Sequence, residues 1–161
     1  MTLPGLDAID RRMLAELQAD ARLTTVELAD RVGLSPSPCI RRLKRLERDG
    51  VIEGYRATLD RAKLGLGLTL YVGIKVERHH DAEAAAFEEA VRALKEVISC
   101  HLVSGEVDFL LQIVVPDLDA YERLLMTTLL KLPGVKDIHT SFAMRTVKSA
   151  GPLPLDHLPG R

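Results

Sequence analysis

Apolar residues in the first fifty positions recur at helical spacing in three separate runs. Ile9, Met13, Leu14 and Leu17 form one stripe behind Asp7, whose carboxylate can accept from the free N–H groups of a first turn, so a helix is predicted to about Asp20. Thr24 and Glu27 have the spacing of a capping box, and Val26, Leu28, Ala29 and Val32 continue a short second helix. Gly33 ends it in a left-handed turn, with Leu34 tucked beneath. Ser35 is a good N-cap and Pro36 suits a first helical position, which starts a third helix running to about Arg48, with Gly50 as its stop.

The period then changes. Residues 51–58 hold Val51, Ile52 and Tyr55 around Gly54, the makings of a small ribbon, and residues 59–67 read as a linker. From Leu68 to Val76 apolar and other residues alternate as in a half-buried strand. Residues 81–95 return to helical spacing, residues 97–103 and 109–115 are two apolar runs around a turn, residues 118–132 form a helix capped by Asp117, and a long strand spans 135–147 after Pro133 and Gly134. The order βαββαβ is that of the ferredoxin-like arrangement, with two helices on one face of an antiparallel sheet, and it leaves the other face to be covered by self-association. The fold class is therefore α+β: a helix-turn-helix domain over 1–58, a linker, a ferredoxin-like domain over 68–150 and a mobile Pro-rich tail over 151–161.

Composition narrows the class. With 47% hydrophobic and 28% charged residues and a net charge of -1, the chain is neither disordered nor globally basic. No apolar run reaches the roughly 20 residues of a membrane span and no signal-peptide layout opens the chain, so a cytoplasmic protein is expected. Cys39 and Cys100 lie far apart without metal-ligand spacing, and no disulfide, metal or cofactor is expected. The adjacent His79 and His80 read as a solvated pair, since consecutive residues point apart.

Charge becomes informative on the third helix. At 100° per residue Cys39, Ile40, Leu43 and Leu46 fall in one sector, while Ser37, Pro38, Arg41, Lys44, Arg45 and Arg48 fall on the other. Between Ser35 and Arg48 five basic residues (Arg41, Arg42, Lys44, Arg45, Arg48) stand against one acid, Glu47. Charge alone fits a solvated helix surface equally well, but the caps, the tight turn and the two-helix context favour a helix-turn-helix with its second helix in the major groove. Ser35, Ser37, Pro38 and Arg41 are then placed near base edges, and Arg42, Lys44, Arg45 and Arg48 mainly on phosphates. Cys39, on the apolar side, reads as a small core residue rather than a redox switch.

Leu6, Asp7 and Asp10, the stretch LSPSPCIRRLKRLERDGVIEGY from Leu34 to Tyr55, and later SGEVDFLLQIVV, YERLLMTTLLKLPGV and TSFAMRTVK occur in the order seen in the Lrp/AsnC, or feast/famine, regulators, which the chain resembles from about Leu6 to Lys148. The resemblance implies a winged-type helix-turn-helix joined to a ferredoxin-like domain that dimerises, often assembles to octamers, and binds amino acids at interfaces between dimers. By that likeness Gly105, Glu106, Val107 and Asp108 match the effector loop. Backbone groups near Gly105 and Glu106 would receive the ligand carboxylate and Asp108 its ammonium, with Ser104 and Thr140 as candidate pocket wall.

Chemistry makes the same turn plausible as an anion nest, yet Gly105 can equally serve only the turn and Asp108 only the loop's own hydrogen bonds. Siroheme decarboxylases resemble this architecture too, but their histidine, tyrosine and arginine-rich stretch is absent at Cys100, His101, Leu102, Val103 and Ser104, and no HExxH, GxSxG or P-loop spacing occurs. A DNA-binding transcriptional regulator is expected, not an enzyme. A C-terminal domain that only assembles, without a ligand, is the remaining alternative.

Overall fold

The computed structural model describes residues 5–77 and 81–158; His79 and His80 lie outside them. Two compact units divide the chain: residues 5–58 together with residues 148–158, and Leu59–Val147.

The first unit is built on α1 (Ala8–Ala19), α2 (Thr25–Val32) and α3 (Pro36–Arg48). Reciprocal capping boxes open the first two helices: Asp7 with Asp10, and Thr24 with Glu27. Gly33 takes the left-handed conformation (φ 73°) that lets α2 turn directly into α3. Met13, Leu28, Ala29, Val32 and Cys39 make the core, with Ile9, Leu17, Leu23, Leu34 and Leu43 packed around it. Burial pushes the Cys39 thiol pKa up, as a core residue requires.

Residues 51–58 form no strand, because among the described residues no second strand pairs with them and an isolated ribbon is marginal in water. The start of this segment is tied back to α3 through the N–H groups of Val51 and Ile52, which donate to the Leu46 carbonyl.

Residues 148–158, expected mostly as a mobile tail, belong to this first unit. The Gln18 side chain on α1 holds the Leu153 backbone on both sides: Leu153 N–H donates to Oε1 (2.6 Å) and Nε2 donates to the Leu153 carbonyl (3.3 Å). Leu158 is buried. An amide side chain offers one donor and one acceptor, the same pair a β-neighbour would offer, so a Pro-rich segment without a ladder of its own can still be fastened.

The second unit has β1 (Leu68–Val76), α4 (Asp81–Arg92), β2 (Val97–Leu102), β3 (Phe109–Val115), α5 (Leu118–Thr127) and β4 (Val135–Phe142), with a short 3-10 turn at Leu129–Lys131. The strands lie in the order β2-β3-β1-β4, with every neighbouring pair antiparallel. Leu70, Val72 and Ile74 of β1 and Phe109, Leu111, Ile113 and Val115 of β3 point to one face, where Phe87 and Val91 of α4 and Tyr121 and Leu124 of α5 complete the core. The expected linker is folded onto this unit as a turn, with Leu64 N–H on the Asp60 carbonyl and Leu66 N–H on that of Arg61.

Strand β4 is shorter than its apolar run suggests. Among the described residues it pairs only with β1, whose first residues face Phe142 and Ala143, so the ladder runs out of partner before Val147. Among the described residues no helix is long and apolar enough to cross a membrane.

Candidate functional site

The outer surface of α3 is a single stripe. Ser37, Arg41, Lys44 and Arg48 follow one another at spacings of four, three and four residues and are all exposed, with Ser35 and Pro36 exposed at the helix start and Pro38 half-buried beside them. Among the described residues Arg48 pairs only with its neighbour Asp49, at 3.0 Å on the surface. This set can reach a nucleic-acid backbone.

Arg42 and Arg45 cannot do so freely, and here the structure corrects the expected phosphate contacts. Arg42 Nη1 donates to Asp7 Oδ2 (2.7 Å) and Asp10 Oδ1 (2.9 Å), and Arg45 Nη2 donates to Asp10 Oδ2. Asp10 is fully buried. The residue that closes the capping box of α1 thus also anchors two guanidinium groups of α3, so the angle at which α3 is presented is set by charge as well as by the apolar core. The α1–α2 contact is fastened separately, by Arg31 on Glu16 (3.0 Å).

Desolvation works against ionisation of Asp7, but the Asp10 backbone N–H, with Arg42, outweighs it and holds the carboxyl below its ordinary 3.8. A carboxylate depressed in the folded state gives stability that is present above its unfolded pKa and lost as pH falls through the folded one. Acid titration followed by circular dichroism should therefore show a loss beginning near pH 4, and Asp7→Asn should flatten that limb.

Two further residues on this surface stand apart from the expected assignment. Ile40, placed in the apolar sector by periodicity, is 40% exposed and is no part of the core cluster. Glu47 accepts from the Tyr55 hydroxyl at 3.0 Å, which ties the segment after α3 to the helix; burial and that bond push the Tyr55 pKa to about 12.

In the second unit Ser104, Gly105 and Glu106 form an exposed turn between β2 and β3, and Gly105 has a φ of 133° that disfavours any side chain. Val107 and Asp108 turn back onto β1. A methyl at Gly73 would lie 2.8 Å from Val107 Cγ1, so Val107 rests directly on the glycine. Asp108 fastens the loop: its N–H donates to the Ile74 carbonyl (2.9 Å), its carbonyl accepts from Val103 N–H (2.8 Å), and Oδ2 accepts from Val76 N–H (3.0 Å).

Gly73 lies between the inward-pointing Val72 and Ile74, so the loop folds over the sheet face away from the helices. Thr140 is not brought to it. Its register partner is Val72, it faces the helices, and it shares a hydrogen bond with the Tyr121 hydroxyl under α5. The β4 residue on the loop's face is His139, opposite Gly73, with Nε2 2.9 Å from Asp137 Oδ2. Strand parity was the available signal: Ile138, Thr140 and Phe142 share one face, His139 and Ser141 the other.

A cleft of about 360 Å³ between α4 and β2, lined among others by Glu88, Val91, Arg92, Cys100 and Phe109, involves none of these residues. Among the described residues no cluster of His, Cys, Asp or Glu is placed to hold a metal ion.

Residues 6–53 match the winged helix-turn-helix DNA-binding family and residues 69–153 the Lrp/AsnC ligand binding domain. The chain is 49% identical over 152 residues to the leucine-responsive regulatory proteins of Klebsiella pneumoniae and Escherichia coli strain K12, covering 93% of each chain. Among solved structures it is similar to a transcriptional regulator from Neisseria meningitidis in complex with L-Met (TM-score 0.89, 40% identity, 98% of this chain and 99% of that one). It is also similar to an AsnC family regulator from Agrobacterium tumefaciens (TM-score 0.90, 38% identity, 95% and 99%). These relatives are transcriptional regulators rather than enzymes. The chain belongs to the Lrp/AsnC family: it is a transcriptional regulator with a winged helix-turn-helix that binds DNA and a C-terminal ligand-binding domain.

Proposed function

We propose that the protein acts in the cytoplasm as a homodimer that assembles further, up to an octamer, and changes its DNA-bound state when an amino acid occupies the turn formed by Ser104, Gly105 and Glu106. The observation that carries the DNA half is the exposed stripe Ser37, Arg41, Lys44 and Arg48, held outward while Arg42 and Arg45 are spent on Asp10. A twofold dimer repeats that stripe, so paired α3 helices meet two half-sites of a partly palindromic operator. Ser35 and Pro38 sit at the helix start, where base edges are approached.

Self-association is supported by the sheet. Tyr71, Leu110, Gln112, His101 and His139 lie on the face opposite the helices, and apart from the 104–108 loop, whose Val107 rests on Gly73, no described element of the second unit packs over that face. The amino-acid reading is supported by relatives named as leucine-responsive and by the L-Met complex of the Neisseria regulator. In this reading the turn's backbone N–H groups take the ligand carboxylate and Glu106 its ammonium. Val107 and Asp108 hold the loop in place rather than meet the ligand.

The test joins both halves. Arg41→Ala with Lys44→Ala should reduce the slope of log affinity against log salt by about 1.8 per half-site, or about 3.6 for a dimer on two, since each phosphate contact releases roughly 0.9 counterion; an unchanged slope would remove α3 from the interface. Calorimetry against the twenty amino acids should give heat with at least one, and that ligand should shift assembly or DNA affinity by a coupling of about 1–3 kcal/mol. Silence with all twenty would leave the second unit as an assembly module.

A further inference from the structure

Helix α3 carries an apolar side chain that lies outside the core cluster of its own unit. Cys39 and Leu43 pack with the core and Leu46 is buried, while Ile40 leaves 40% of its surface open. It stands one turn from both Ser37 and Lys44 and next to Arg41, in the first half of α3, amid the polar residues assigned to DNA. Its two nearest neighbours on the exposed stripe are thus a hydroxyl and an ammonium, neither of which an isoleucine satisfies.

A groove-bound helix meets chiefly hydrogen-bonding groups and one apolar one, the 5-methyl of thymine. Isoleucine suits that group, because branching at Cβ leaves one strongly preferred χ1 rotamer in a helix and little freedom remains to be lost on contact. An exposed aliphatic residue that the core does not use gains by leaving water, and within the groove that methyl is the apolar surface on offer.

We propose that Ile40 reads sequence by packing on a thymine methyl in the major groove, giving each half-site a preference for a T·A pair at one position. This rests on α3 being the groove-binding helix. Burial of one methyl is worth about fourfold in affinity per half-site, and about fifteenfold for a dimer on two.

The experiment starts from a duplex selected out of a randomised pool by the full-length protein. That duplex is then remade with deoxyuridine, which lacks only the methyl, at each thymine in turn. Wild type should lose about fourfold at one thymine of each half-site. Ile40→Ala should bind the thymine and deoxyuridine forms equally, and Ile40→Val should keep part of the discrimination. Arg41→Ala should weaken both forms by the same factor.

A thermal midpoint close to wild type, expected for an exposed position, confirms that each variant is folded. Wild type indifferent to deoxyuridine everywhere, or Ile40→Ala retaining the discrimination, overturns the assignment even when salt-dependent binding through α3 persists. Failure of wild type to select any duplex overturns this assignment together with the reading of α3 itself.

Discussion

Replacing Arg42 and Arg45 together by methionine is expected to destabilise the DNA-binding unit by about 3–5 kcal/mol, the usual cost of leaving a buried ion without its partners. The ion is Asp10, fully enclosed and bonded by both guanidinium groups. Solvent reaches both arginines, which puts the outcome at the lower end of that range. Adding Asp10→Asn should restore part of the loss, because a neutral amide can stay buried without a counter-charge.

The matched double variant Arg41→Met with Lys44→Met removes the same formal charge from the same helix. It should cost less than about 1 kcal/mol in stability, as exposed charges do, yet it should lose a large share of the salt dependence of DNA binding. Urea denaturation and a salt titration on both pairs separate the residues that hold the helix from those it presents. Equal stability losses in the two pairs would contradict the division drawn at Asp10.

The second large effect is expected at Gly73. Its replacement by alanine places a methyl 2.8 Å from Val107 Cγ1, and β-branched Val107 has little rotamer freedom with which to yield. The loop must lift from β1, at an overpacking cost of about 1–3 kcal/mol, straining the Asp108 bonds to Ile74 and Val76. Amino-acid affinity measured by calorimetry should fall about tenfold or more, while DNA binding by the ligand-free protein stays as in wild type. Val107→Ala in the Gly73→Ala background reopens the space and should recover most of the affinity. Recovery absent, with both variants folded, would mean that Val107 does not transmit the strain.

Much of this architecture can be read from the chain. The helix starts are local chemistry: Asp7, Thr24, Ser35 and Asp117 each precede a helix, and three of them accept a backbone N–H through the side chain, Ser35 being the exception. The βαββαβ element order follows from alternation and helical spacing, whereas the pairing of β1 with β3 and β4 joins strands far apart in the chain. The roles of Arg42 and Arg45 did not emerge from helix periodicity, because both lie on the flanks between the buried and exposed faces, and their partner is more than thirty residues earlier in the chain.

The same kind of ambiguity explains Ile40, an apolar residue on the border of its sector. Thr140 was drawn to the loop by family likeness, although its parity with Ile138 and Phe142 sends it to the helices. Asp108 and Gly73 show the converse: a turn motif is visible in sequence, whereas the strand it rests on is visible only once β1 and β3 are paired.

The grip of Gln18 on Leu153 makes the DNA-binding unit discontinuous, assembled from both ends of the polypeptide. A protease that nicks residues 59–67 therefore does not release it, since the peptide running on from β4 still connects the two units. Liberating that unit takes a second cleavage near Val147, and a fragment ending at Thr58 lacks the strand of chain that Gln18 was holding.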